Sequence, residues 1–344
     1  MKKILFVHPV NDFTGSSIVL YNVIKSNYNN CHKMLLTTTY GAGGPFTDLD
    51  KIKIYNIKYP LFRGKKIPIM SSLLSIIDGV IKMSYLCFNV DIVYINTIVP
   101  FYAAIIAKLL RKEIIWHIHE KYAIRSFPVK LIEYVQSHTN AHFIFVSNYL
   151  MHQYRLSKKS TFEVKYNKLD AVFIKKIKVI PIKDRLKSRI VMLCSYTKAK
   201  GIYTFVEVAK LLPQYEFTLV LSTDPLTVDK FSKETHTPSN CKVLPVQTNV
   251  NDIYKENDLV LNLTIPSLCI ETFGMTIIEA FAYGLPVIVP NVGGPAEIVK
   301  DMYNGRIVDV DNALVVKNTI CEILSERNYE NYAMHALHTS KLFI

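Results

Sequence analysis

Short apolar runs rich in β-branched and aromatic residues alternate along the chain with longer stretches whose apolar positions recur every three or four residues. The first kind of run predicts strands over 3–8, 33–38, 51–57, 91–96, 113–117 and 141–146. The second predicts helices over 16–26, 69–88, 101–110 and 129–137 between them. Strands separated by helices read as βαβ units in a parallel sheet. The pattern loosens over 170–187, where Lys-rich sequence, Pro181 and then Lys183-Asp184-Arg185 mark a junction. It then resumes, with strands predicted over 189–194, 216–221, 242–244, 258–263 and 286–289. Helices are predicted over 203–212, 275–283, 295–299 and 313–326. The reading is α/β: two doubly wound, Rossmann-like domains, 1–180 and 181–344, facing each other across a ligand cleft at the carboxyl ends of their strands.

Composition narrows this picture. A chain of 344 residues that is 50% apolar has room for two such cores. The net charge of +13 comes mostly from Lys spread along the sequence, with short clusters at Arg63-Gly64-Lys65-Lys66 and Lys175-Lys176. There is no basic stripe interleaved with aromatics and no zinc-finger spacing, so nucleic acid is not an expected partner. Phosphate-bearing ligands and an anionic membrane surface both fit the charge. Six cysteines lie scattered with no C-x-x-C pair, as expected for buried thiols in a reducing compartment. The opening run is too short for a signal-peptide core. The apolar region 67–95 is broken by Pro68, Asp78, Lys82 and Asp91, so no membrane span is expected. The expected location is the cytoplasm, with peripheral contact at the inner face of the plasma membrane.

The segment from Ile270 to Pro290 holds the densest chemistry. A loop after the predicted strand 258–263 ends at Gly274, where the backbone can turn and approach a ligand closely. The helix predicted from Met275 presents free N–H groups and a positive dipole end, a ready seat for a diphosphate. Thr276, Glu279 and Tyr283 share one stripe of that helix. Glu271 precedes it in the loop. Taken singly, Glu279 reads equally well as a residue of a solvated face and Glu271 as an ordinary loop residue. Gly293-Gly294 reads as a tight turn ahead of a short helix. Lys200-Gly201 follows a strand. Alone, Lys200 is an ordinary solvated lysine; at the mouth of a parallel strand it can also neutralise a phosphate. Gly15 opens a helix after the first strand. His117 and His119 fall on one face by alternation, where each is either a core histidine or a donor to sugar hydroxyls.

Glu271 and Glu279 with seven residues between them, then Gly-x-Pro-Val-Ile, Gly-Gly-x-x-Glu and Asn304-Gly305, form an ordered string from Ser267 to Val308. This string resembles the C-terminal signature of the family 4 retaining glycosyltransferases, the GT-B "glycosyl transferases group 1". The resemblance implies that Glu271 contacts the donor sugar and Glu279 the ribose of the nucleotide. It implies that backbone groups of Phe273, Gly274, Met275 and Thr276 hold sugar and diphosphate. Lys200 resembles the family's leaving-group lysine, His119 its sugar-contacting histidine, and Gly15 part of its diphosphate loop. The chain departs from the pattern in three places. Cys194 and Ser195 stand where an Arg is common, Ser16 where a second glycine is usual, and Lys168 where a turn glycine is usual. Val146-Ser147 and Asn167-Lys168-Leu169-Asp170 resemble structural elements of the family.

The implied activity is transfer of a sugar from a nucleotide-diphosphate donor to a hydroxyl acceptor, with retained configuration, in cell-envelope polysaccharide or glycolipid synthesis. The acceptor is expected to be lipid-linked. The donor is a substrate, so no resident cofactor and no metal is expected. Family members continue into a helix that crosses back to the first domain, and the sequence ending at Ile344 makes that element short or missing. Two rival readings stand: a non-catalytic partner subunit that keeps the fold, and another GT-B enzyme such as a nucleotide-sugar epimerase.

Overall fold

The computed structural model describes residues 1–38, 43–50, 52–58, 69–121 and 127–344. The basic cluster at 63–66, residue 51 of the third predicted strand, and residues 41 and 42 of a glycine-rich loop lie outside them. The chain divides into two units, Met1–Tyr166 and Asn167–Ile344.

The first unit runs β1 (Lys3–Val7), α1 (Gly15–Ser26), β2 (His32–Thr37), β3 (Lys53–Asn56), α2 (Ile69–Phe88), β4 (Ile92–Asn96), α3 (Phe101–Leu109), β5 (Glu113–Ile118), α4 (Phe127–His138), β6 (His142–Phe145), α5 (Asn148–His152) and β7 (Thr161–Val164). The strands form one sheet in the order β3-β2-β1-β4-β5-β6-β7, every pairing parallel. Helices cover both faces, so central strands are apolar on both sides: Ile4 to Val7 are all buried. Phe6 pairs in register with Leu35 on one side and Tyr94 on the other.

The second unit continues with α6 (Ala171–Lys175), β8 (Arg189–Cys194), α7 (Ile202–Leu211), β9 (Glu216–Leu221), α8 (Pro225–Thr235), β10 (Cys241–Leu244), α9 (Val250–Glu256), β11 (Leu259–Leu261), α10 (Met275–Ala282), β12 (Val287–Pro290), α11 (Gly294–Ile298), β13 (Gly305–Val308), α12 (Ala313–Ile323) and α13 (Glu326–Ser340). Its sheet order is β10-β9-β8-β11-β12-β13, again parallel. Both units are doubly wound. The strand order reverses between β1 and β4 in the first and between β8 and β11 in the second, the places where such sheets bind ligands.

Most expected strands and helices appear within a residue or two of their predicted ends. The differences have physical causes. The edge strands β7 and β13 were not predicted; each is short and partly exposed, so neither shows a continuous apolar run. The single helix expected over 313–326 ends at Ile323, and a second, α13, starts after Ser325. The helix α8 was missed because its mean hydropathy is low, although Asp224 at its N-cap and Pro225 behind it form a recognisable start. The junction expected at 180/181 falls later than the division between the units at Tyr166/Asn167. Residues 167–180 join the second unit because Phe173 sets its ring edge-on against Tyr254 and Tyr283.

In the second unit's core Phe205 lies fully buried, edge-on to Phe217 at 5.5 Å. Phe205→Ala is expected to lower the unit's unfolding free energy by about 3–5 kcal/mol through the cavity it leaves. Urea unfolding followed by circular dichroism measures this, and a loss below about 1 kcal/mol would contradict the packing described.

Candidate active site

At the second unit's switch point, two loops bring distant residues to one carboxylate. After β8 the chain makes one tight turn, Lys198–Lys200, and reverses at Gly201 with φ of 70°. A Cβ there would lie 2.2 Å from the Leu263 carbonyl oxygen, so only glycine lets this turn press against the loop after β11. The Ile265 amide donates to the Ala199 carbonyl and ties the same two loops. Lys200 Nζ then donates to Glu271 Oε2 at 2.8 Å. Asn262 Nδ2 donates to the same oxygen at 3.0 Å, and Thr264 Oγ1 lies 2.9 Å from it. Among the described residues no hydrogen bond reaches Glu271 Oε1.

Burial alone would push Glu271 up, but Lys200, Asn262 and Thr264 outweigh it and hold the carboxyl below its ordinary range. Burial likewise opposes charge on Lys200, and the facing carboxylate raises its pKa in spite of that. Both groups are therefore ionised at neutral pH. Cys194, standing where an Arg is common in the resembling family, is a thiol: burial pushes it up to about 12, against the pull of Lys200.

The loop from Glu271 is propped from below by the two glycines read as a tight turn. A Cβ on Gly293 would lie 2.4 Å from the Glu271 carbonyl oxygen, and one on Gly294 would lie 2.3 Å from that of Thr272. The Gly294 amide donates to the Glu271 carbonyl. These glycines hold the loop's backbone. Phe273 is buried and packs edge-on to Phe343. Gly274, with φ of 112°, then starts α10, so the amides of Met275 and Thr276 open its positive end.

Glu279 lies one turn further along α10. Its Oε2 accepts from the Tyr254 hydroxyl at 2.6 Å. Burial pushes its carboxyl up to about 6, the Tyr254 hydrogen bond opposing and Asp170 adding to the rise. Tyr283, which helical spacing puts on one stripe with Thr276 and Glu279, is fully buried. It stacks on Tyr254 and takes a hydrogen bond from Asn251, because α6 and α9 cover that end of the helix.

In the first unit, β1, β4 and β5 end on a chain of polar side chains. Ser17 Oγ and Asn96 Nδ2 meet the two ring nitrogens of His8 at 3.0 and 2.8 Å. Asn96 Oδ1 meets His119 Nε2 at 2.9 Å. His117 and His119 stack at 4.2 Å, on one face as alternation requires. His117 is buried against the Tyr94 hydroxyl, whereas His119 stands half-buried at the strand end. Burial holds His117 down at about 3 and His8 at about 4, and puts His119 well below its usual range with His117 and His8 adding to the effect. All three rings are neutral at pH 7. Glu120 next to them is pushed up to about 7 by burial, the Ile98 amide and the Thr97 hydroxyl opposing. Gly15 opens α1, but the Asp12 carboxylate already takes the Thr14 amide and Ser17 hydroxyl at that mouth. Asp12 thus brings a carboxylate to the start of α1, beside the Gly15 seat expected for a diphosphate.

Sequence reasoning missed Asn262, Thr264, Tyr254 and Asn96. Asn262 and Thr264 carried a signal: polar residues directly after an apolar strand, at the switch point. Asp-x-Asp occurs twice, at 48–50 and 309–311; Asp309 accepts a hydrogen bond from the Asp311 amide. Among the described residues no group of three or more His, Cys, Asp and Glu is placed to hold a metal ion.

Residues 174–336 match the family model described as glycosyl transferases group 1. The second unit is a group 1 glycosyltransferase domain. Probable sucrose-phosphate synthase 5 of Oryza sativa subsp. japonica is 38% identical over 82 residues, covering 24% of this chain and 8% of that protein. Sucrose-phosphate synthase of Spinacia oleracea is 32% identical over 82 residues, with the same coverage. The chain thus spans under a tenth of the length of these relatives. Among solved structures, Anabaena HepE in complex with UDP and glucose superposes with a TM-score of 0.78 at 18% identity, covering 100% of this chain and 96% of that one. Sucrose-phosphate synthase from Thermosynechococcus elongatus reaches 0.76 at 16% identity, covering 100% and 95%. These likenesses show the fold: it is GT-B.

The group 1 domain's two glutamates are held in opposite states, and pH separates them. Glu279 has a folded pKa near 6, above its ordinary value, so the stability it contributes is complete below pH 4.5 and lost as pH rises through 6. The expected loss is about 2 kcal/mol. In urea unfolding, Glu279→Gln should remove it, gaining about that much on wild type between pH 4.5 and 6. Parallel pH profiles would contradict the burial of Glu279.

Proposed function

We propose that this chain transfers a sugar from a nucleotide-diphosphate sugar to a hydroxyl acceptor with retention of configuration, as a family 4 enzyme. The carrying observation is Glu271: one oxygen saturated by Lys200, Asn262 and Thr264, the other receiving no hydrogen bond from the described residues, three residues ahead of the Gly274 turn into α10. A carboxylate fixed in this way accepts hydrogen bonds from sugar hydroxyls in one orientation. The α10 amides at Met275 and Thr276, with the Phe273 and Gly274 backbone, would take the diphosphate. Glu279, held by Tyr254, would take a ribose hydroxyl.

In the reaction the bond from the anomeric carbon to the diphosphate breaks, the acceptor oxygen bonds the same face, and the acceptor's proton passes to the departing phosphate oxygen. Lys200 would stabilise the charge that builds on that oxygen. It is cationic at neutral pH, and among the described residues Glu271 and Thr264 take up two of its three N–H donors. His119 is proposed as a donor-sugar contact, with Asn96 fixing its ring. Gly15 at the start of α1 is proposed as part of the diphosphate seat, with Asp12 holding the Thr14 amide and the Ser17 hydroxyl beside it. HepE was solved with UDP-glucose, which makes that sugar the first donor to try. A lipid-linked acceptor of cell-envelope polysaccharide or glycolipid synthesis, met at the cytoplasmic side of the membrane, fits the basic charge.

A thermal-shift screen against UDP-, GDP-, ADP- and dTDP-sugars tests the donor site. At least one sugar should raise the Tm of wild type and fail to raise that of Glu279→Ala; a shift surviving that substitution unchanged would overturn the assignment. With the donor found, Lys200→Met should lower kcat by about 10²–10³-fold, with a smaller change in KM. Epimerised or hydrolysed donor in the absence of acceptor would instead identify a different GT-B reaction.

A further inference from the structure

The helix α2 has an unusual outer side. Ser75, Gly79, Met83, Leu86 and Cys87 face inward, and Gly79 lets α3 approach so closely that a Cβ would lie 2.6 Å from the Tyr102 hydroxyl. The opposite side carries Met70, Leu73, Ile77, Ile81, Tyr85 and Phe88, spaced three or four residues apart, and all exposed. Ile81, Tyr85 and Phe88 are 63, 70 and 67% exposed. A helix on a water-facing sheet normally turns a charged side outward. The charged residues of α2 are Asp78 and Lys82, and they neutralise each other at 2.7 Å. Right-handed crossovers place α2, α3 and α4 on the same face of the sheet. The apolar surface continues there through Ile105 and Leu109 of α3 and Tyr134 of α4.

The distribution of charge indicates what covers this face. The first unit, 1–166, holds 21 Lys and Arg against nine Asp and Glu, a net +12, whereas 167–344 holds 20 against 19, a net +1. The excess is therefore a property of the unit that bears the apolar face. Cations also rim the face itself. Lys112 donates to the Phe88 carbonyl at the end of the stripe, and Lys108, Arg111 and Lys130 are exposed beside it, with Glu133 the opposing acid on α4. Exposed aliphatic and aromatic side chains bordered by lysine and arginine suit the headgroup layer of an anionic bilayer. Among the described residues no helix is long and apolar enough to cross a membrane.

We propose that the outer face of α2, with α3 and α4 beside it, docks on an anionic lipid surface, lying in the headgroup layer. This deepens the reading of a lipid-linked acceptor, but its test needs neither donor nor turnover, so the two can fail separately. The full chain is sedimented with vesicles of pure phosphatidylcholine and of phosphatidylcholine with 30% phosphatidylglycerol. Binding to the anionic vesicles should exceed binding to the neutral ones about tenfold and fall as salt is raised. Ile81→Glu with Tyr85→Glu should reduce anionic binding about tenfold or more, with Tm and elution volume unchanged. Three results overturn the proposal: equal binding to both vesicle types, unaltered binding by the double variant, or a wild-type dimer that the double variant converts to monomer, which would make the face a contact between copies.

Discussion

A partly buried ammonium and a partly buried carboxylate, Lys200 and Glu271, meet at 2.8 Å where the loops after β8 and β11 touch. Neither charge is comfortable there alone, since an unpaired charge at such a position is costly. Their pairing sets the requirements for what surrounds it. Gly201 must be a glycine for the Lys200 turn to approach Leu263. Gly293 and Gly294 must be glycines for the Glu271 loop to rest on them. Asn262 and Thr264 saturate the oxygen that the lysine faces, so the rotamer of the carboxylate is set before any ligand arrives. The open oxygen and the start of α10 follow in the same short stretch of chain.

The two glutamates illustrate how one domain holds like groups in unlike states. Glu271 is kept ionised by a cation and two neutral donors. Glu279 has burial against it and a single tyrosine hydroxyl for it, and titrates near 6. A ribose hydroxyl donating to Glu279 would add stabilisation to its charged form, so nucleotide binding and ionisation of Glu279 are thermodynamically linked. The first unit takes a different approach: three histidines held neutral by burial, with His8 and His119 joined through Asn96 and His117 stacked on His119.

Much of the fold was legible because parallel, doubly covered strands declare themselves as continuous apolar runs; β8 and β9 have the predicted bounds. Edge strands such as β7 lack that signature, and α8 carries its signal in a cap where periodicity is weak. At the site, Glu271, Glu279 and Lys200 stood out by their placement after strands and inside an ordered string. Tyr254 and Asn96 did not, because their pairings depend on which helix and which strand the topology brings alongside. The burial of Tyr283 was hidden for the same reason: helical spacing predicts a stripe, and the neighbouring elements decide whether that stripe meets solvent. The charge excess was visible as a total, but its concentration on one unit emerged only with the division at Tyr166.

The central claim is that Lys200 and Glu271 act as one unit. A double-mutant cycle on Lys200→Met and Glu271→Gln, read in urea unfolding at pH 7, measures it. Each single substitution should destabilise by about 2–4 kcal/mol, and the double variant should be more stable than the sum of the two by about 1–3 kcal/mol. Single effects that simply add would contradict the claim.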